Sequence, residues 1–266
     1  VILGEVPLID PNLSNEFEQL LVWADEVRKL KIRANADNPI DALKARLFGA
    51  EGIGLCRTEH MFMEPSRVPI VQQMILADNE EEQKNALEKL LPMQKADFKG
   101  IFASMDGLPV NIRLLDPPLH EFLPNIEDLV VELTKMQENQ VDPAEMIAKE
   151  ALLKKVRSLH EFNPMLGHRG CRLGITNPEI YEMQVEALFQ AVIEAKQEGI
   201  KVFPEVMIPL VGHVQELKAL RRMVVAIADR IQQETGIEFE YTIGTMIEVP
   251  RAALTAQNIA EQADFF

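Results

Sequence analysis

Apolar positions recur along this chain at two spacings, and the alternation between them lays out its elements. Residues 1–9 read as an extended lead-in, closed by the turn signal Asp10-Pro11-Asn12. Phe17, Leu20, Leu21, Ala24, Val27 and Leu30 keep one helical face, predicting a helix over 15–30 with Ser14 as its cap. Residues 31–36 alternate as a short strand ended at Asp37, and Asn38-Pro39 starts a helix that runs to Phe48 and stops at Gly49. The apolar run 52–56 reads as a buried strand. Two or three helices fill 64–105, with Asn79 and Glu82 resembling a capping box and Pro92 kinking or restarting the pattern.

A strand over 109–115 runs into Asp116-Pro117-Pro118, and a mostly helical insertion, about 119–163, follows it. Its face Ile126, Leu129, Val130 and Leu133 has helical spacing. Residues 165–174 form a glycine-punctuated strand or loop. Then come a helix from Asn177 to Gln197, a strand over 202–211, a helix over 214–234 ending at Gly236, and a strand over 239–247. An alanine-rich helix follows Pro250 to about Gln262, and residues 264–266 open one more strand.

Such alternation implies a parallel sheet with right-handed helical crossovers, about six strands placed and a seventh begun. Charged residues close several of those strands, which favours a (β/α)8 barrel of the TIM type over an open doubly wound sheet. No G-x-G-x-x-G follows the first strand, so a dinucleotide fold has no support. The barrel is expected to be truncated before its last strands.

Composition narrows the partners. A length of 266 residues suits one large domain, or one with an insertion. The net charge of −15 argues against nucleic acid or an anionic membrane, both of which reward a basic face. No apolar run approaches the ~18 residues of a membrane span. The only cysteines, Cys56 and Cys171, stand on separate strand-like segments and read as reduced thiols of a cytoplasmic protein.

Candidate chemistry gathers at three strand ends. Arg57 and Arg113 each close an apolar run, and a guanidinium presents paired donors to phosphate or carboxylate oxygens. The alternative is a structural role, each arginine paired with a neighbour such as Glu59 or Asp116. Glu248 closes the last full strand before Pro250. It can ligate Mg²⁺, or it can simply favour the dipole of the next helix. His168-Arg169-Gly170 adds a further cation, though its glycines equally serve a tight backbone path. His60 and His120 follow strand ends, with a satisfied structural role as the default, and His213 opens a helix. Asn111 and Thr245 are modest polar contributors, and the methionine stripe 61, 63, 74, 93, 105 is core filler.

Four longer motifs carry a resemblance: 54–62 (GLCRTEHMF), 113–122 (RLLDPPLHEF), 165–174 (MLGHRGCRLG) and 244–253 (GTMIEVPRAA). Together they resemble the C-terminal, phosphoenolpyruvate (PEP)/pyruvate-binding domain of the pyruvate, phosphate dikinases, within the PEP-utilising enzymes. PEP synthase and enzyme I of the sugar phosphotransferase system share the barrel, and a non-catalytic PEP-binding module is a further alternative. The resemblance implies the reaction ATP + pyruvate + phosphate = AMP + PEP + diphosphate, with this domain exchanging a phosphoryl group between a phosphohistidine and the pyruvate enolate. It implies that Arg57 and Arg113 grip that group, that Glu248 holds substrate and Mg²⁺, and that Arg169 belongs to the same pocket. Partners implied are a swivelling phosphohistidine domain, whose tail residues 1–5 resemble, a nucleotide-binding domain, and a second copy in a homodimer. The family's acid cysteine and a second carboxylate ligand fall beyond Phe266. The expectation is therefore a fragment inactive on its own.

Overall fold

The computed structural model describes residues 14–139, 142–161 and 163–266. The predicted lead-in and its turn lie outside the described residues. The chain divides into two compact units, one within the first 32 residues and the other Arg33–Phe266. In the first, helix α1 (Asn15–Val27) starts where the Ser14 hydroxyl accepts the Phe17 N–H at 3.3 Å.

The second unit is built on a five-stranded, wholly parallel sheet of β1 (Ala34–Asn35), β2 (Ile53–Arg57), β3 (Pro109–Arg113), β4 (Phe203–Ile208) and β5 (Thr242–Thr245), in that spatial order. The order never reverses. Between the strands run α2 (Pro39–Leu47) after β1, then α3 (Thr58–Phe62), α4 (Val68–Leu76) and α5 (Glu80–Ser104) after β2. After β3 come a 3₁₀ turn (Leu119–Phe122), α6 (Ile126–Glu138), α7 (Pro143–Leu159), α8 (Cys171–Thr176) and α9 (Pro178–Gln197). Helix α10 (Val214–Thr235) joins β4 to β5, and α11 (Pro250–Leu254) and α12 (Ala256–Ala260) follow. Helix α2 packs on α5, α5 on α9 and α9 on α10, so these helices keep the order of their strands.

Alternation along each strand sorts its side chains between two faces. Ile53, Cys56, Val110, Ile112, Leu114, Val206, Ile208 and Ile243 join the main core beneath the helices. Asn111, Arg113, Glu205 and Met207 therefore project from the other face. On that face Arg33, just before β1, holds Glu205 of β4 at 2.5 Å across two intervening strands, which favours a sheet curved toward it.

The insertion keeps its own small core of Leu123, Leu129, Leu133, Leu153 and Val156, capped by Ile75 and Leu76. Lys155 Nζ ties it down, donating to the Asp78 carboxylate at 2.7 Å and the Ala77 carbonyl at 3.2 Å.

Several expectations are corrected. Among the described residues the sheet has five strands, not six, because 165–174 is a loop leading into helix α8, whose first residue is Cys171. Gly170, at φ +57°, makes that sharp entry. Pro92 does not restart the pattern but lies inside α5, which runs on to Ser104. It is exposed, as is Glu88, so the carbonyl left without its N–H partner faces water. The helix after Pro250 is two short helices. Residues 264–266 form no strand, although the Asp264 N–H reaches the Ile243 carbonyl at 2.8 Å and Thr245 N–H that of Phe265 at 3.3 Å.

Candidate functional site

Parallel pairing brings the two predicted forks together. Arg57 and Arg113 are register partners at the C-terminal ends of β2 and β3, in one row with Met207 and Gly244. Register partners project to the same face. That row ends the polar face.

Each guanidinium meets carboxylates. The Arg57 N–H donates to Asp37 Oδ1 at 2.6 Å, and its Nη1 lies 3.5 Å from Asp37 Oδ2. The same Oδ2 faces His60 Nδ1 at 2.7 Å. Arg113 is buried between two carboxylates: Nη2 donates to Glu59 Oε1, and Nη1 forms an ion pair with Asp116 Oδ2 at 2.9 Å. Asp116, nearly inaccessible, also takes Arg169 in a fork, from Nη2 at 2.6 Å and Nε at 3.1 Å. Burial works against the Arg169 charge, but the Asp116 hydrogen bonds and charge outweigh it, so its pKa rises further. Glu248 and Glu121 add to that field.

Glu248 reaches the cluster through the backbone. Its Oε1 accepts the Leu210 N–H at 2.7 Å, at the end of β4. Leu210 adopts φ +62°, the one non-glycine among the described residues in the left-handed region. Such conformations are costly and persist only where neighbours impose them. Here the Gly170–Cys171 turn packs against Leu210, and the Cys171 N–H donates to the Pro209 carbonyl at 3.0 Å. Glu248 is exposed, and its Oε2 makes no hydrogen bond with the described residues.

The structure thus brings Arg57, Arg113, Arg169 and Glu248 to the C-terminal ends of β2–β5. It also realises the structural alternative for Arg113, which pairs with both Glu59 and Asp116. Arg57 pairs instead with Asp37, which sequence reading passed over as a strand terminator. Leu210 was missed as well, since a backbone N–H leaves no mark in a side-chain pattern. Elsewhere, Asn111 Nδ2 donates to the Gly54 carbonyl at 3.0 Å and the Thr245 hydroxyl to that of Ile208 at 2.7 Å. Both are buried structural contacts. His213 caps α10 in a capping box with Glu216. His168 meets the Thr176 hydroxyl at 2.5 Å. Met61, Met74 and Met105 are core, while Met63 is exposed. Both cysteines are free and buried; burial, reinforced by Glu216, pushes the Cys171 thiol up to about 12.

Clefts of about 940 and 670 Å³ open at the opposite, N-terminal ends of the strands, around Phe203 and Phe239. Neither holds any of the arginines that close β2 and β3. Strand carboxyl ends are where parallel sheets place their ligands. The charged cluster is accordingly the candidate site.

Metal donors are few. Among the described residues no three histidine, cysteine or acidic side chains could together hold a metal ion. Asp37, Glu59 and Asp116 are engaged by arginines or His60, which leaves Glu248, exposed and paired through one oxygen, as an accessible hard-oxygen donor among these four. Mg²⁺ is commonly held by one or two carboxylates, with waters and substrate oxygens completing its shell. Glu248 fits one such position. No described helix is long and apolar enough to cross a membrane.

Comparison with known proteins gives the family. Residues 11–266 match the profile of the PEP-utilising enzymes' PEP-binding domain. The chain is 52% identical over 267 residues to pyruvate, phosphate dikinase of Rhizobium meliloti, covering 100% of this chain and 29% of that protein. It is 53% identical over 269 residues to the chloroplastic enzyme of Mesembryanthemum crystallinum (100% and 28%). It is 51% identical over 264 residues to that of Clostridium symbiosum (99% and 29%). The chain spans less than a third of these relatives. On a match running from residue 11 to Phe266, the chain belongs to the PEP-utilising enzymes, as their PEP-binding domain.

Proposed function

We propose that this chain is the PEP/pyruvate-binding part of a pyruvate, phosphate dikinase, where a phosphoryl group passes between a phosphohistidine and the enolate of pyruvate. The observation that carries the reading is the register pairing of Arg57 with Arg113. Two forks side by side match the oxygens of one phosphoryl group, and fixed positive charge offsets what that group carries during transfer. Arg169 extends the field through Asp116, which it shares with Arg113. The sequential strand order and the Arg33–Glu205 pair across the polar face support the finer fold assignment, part of a (β/α)8 barrel. The phosphohistidine and nucleotide-binding domains would come from a longer parent chain, functioning as a homodimer in a reducing, cytoplasmic setting.

Charge balance bears on the cofactor. Three guanidinium groups face the carboxylates of Asp37, Glu59, Asp116 and Glu248, with Glu121 also in the field, so an arriving anion meets no positive excess. A divalent cation at Glu248 offsets that negative charge. Mg²⁺, when bound, supplies Lewis-acid stabilisation of the enolate oxygen. The chain's own contribution is orientation: the Leu210 N–H fixes one oxygen of Glu248 and leaves the other for the ion.

Calorimetric titration of the full-length parent enzyme with PEP tests the reading. Arg113→Leu is expected to weaken PEP binding by about 100-fold or more, the scale of losing a buried charge-assisted pair. Glu248→Gln should abolish the dependence of that affinity on added magnesium. Unchanged PEP affinity in Arg113→Leu would remove the phosphoryl grip from this site.

A further inference from the structure

Glu59 is placed strangely for a group that only stabilises the fold. It is 6% exposed and sits on α3, two residues after Arg57. Its Oε1 takes Arg113 Nη2, yet its Oε2 is buried without any partner. Arg113 Nε is likewise buried and unpartnered. Burying a carboxylate with one oxygen unsatisfied is costly, and an apolar side chain would fill the same space at less expense.

What the placement achieves is directional. Asp116 holds the other tip of Arg113 and is shared with Arg169, so it draws the guanidinium toward the β4 side. Glu59 draws it back toward the end of β2, where Arg57 stands. Held at both tips, the plane cannot turn about its Cδ–Nε bond. Without Glu59, Nη2 would be free to swing and the two forks would separate.

We propose that Glu59 is a positioning residue that holds Arg113 beside Arg57, and thereby sets the preference for a phosphorylated over an unphosphorylated ligand. The proposal rests on the phosphoryl-binding reading above. A ligand spanning both forks depends on their spacing, whereas pyruvate, with no phosphoryl group, does not.

The test titrates the full-length parent enzyme, in magnesium buffer, with PEP and separately with pyruvate, using wild type, Glu59→Gln, Glu59→Asp and Arg113→Leu. Misplacing one fork should weaken PEP binding by about tenfold in Glu59→Gln while pyruvate affinity stays within about twofold. Glu59→Asp keeps the charge on a shorter stem and should shift the ratio by about threefold, deciding the matter if the glutamine variant fails to fold. A general structural defect would weaken both ligands alike. Equal losses, or no change, in the Glu59 variants while Arg113→Leu still loses PEP would overturn the positioning role. If Arg113→Leu keeps its PEP affinity, the underlying reading falls instead.

Discussion

Gly170 links three parts of the charged cluster within one peptide unit. Its N–H donates to the Asp116 carbonyl at 2.9 Å, it follows Arg169 directly, and it starts α8. A Cβ there would stand 2.7 Å from Leu210 Cβ and 3.1 Å from the Pro209 carbonyl oxygen, on a backbone at φ +57°. Neither neighbour is a movable side-chain tip. Gly170→Ala should therefore cost about 2–3 kcal/mol in urea unfolding, strain and overlap together. Gly199 is the control. Its φ is +83°, but nothing lies within 4 Å of its would-be Cβ, so Gly199→Ala should cost only about 1 kcal/mol. Equal losses at the two positions would mean that backbone conformation alone, not the contact with Leu210, makes glycine necessary before α8.

At the scale of elements, the insertion meets the 3₁₀ turn after β3 through two histidines. The rings of His120 and His160, at the end of α7, lie 5.0 Å apart, with His120 Nδ1 buried and unpartnered. Burial, then the charge of His160, hold His120 below its ordinary 6.5, against the opposing pull of Glu121 and Glu161. The folded chain thus binds fewer protons than the unfolded one just below pH 6.5. Stability present above that value is lost as pH falls toward the folded pKa. Between about pH 7.5 and 5.5 the wild-type Tm should fall more than that of His120→Gln; parallel curves would show that this histidine does not titrate differently on folding. Sequence reading anticipated the helical insertion, because apolar spacing marked the face of α6 that buries Leu129 and Leu133. It failed where a local signal was absent. The glycines of 165–174 fit a strand or a turn equally, and only packing against Pro209 and Leu210 makes a helix begin at Cys171. The arginines were legible as strand ends. Their partner Asp37 was not, since pairing across β1 and β2 requires knowing which strands are neighbours.

For the whole molecule the decisive quantity is curvature, because a row of groups converges on one ligand only if the sheet bends around it. Strand order alone leaves a flat ribbon possible, and the Arg33–Glu205 pair, which spans the two strands between its partners, favours a bent one. Glu205 is mostly sheltered and Arg33 is about a third exposed, so solvent screens the pair partly and its coupling should be about 1 kcal/mol rather than the 3–5 of a fully buried pair. A double-mutant cycle with Arg33→Met and Glu205→Gln, read by urea unfolding, isolates that term from the separate losses of each side chain. A coupling near 1 kcal/mol in low salt that shrinks as salt is added is the expected result. No coupling at any ionic strength would mean that the first and fourth strands do not approach across the polar face. The row from Arg57 to Gly244 would then be spread along an open edge, too wide for a single phosphoryl group to bridge.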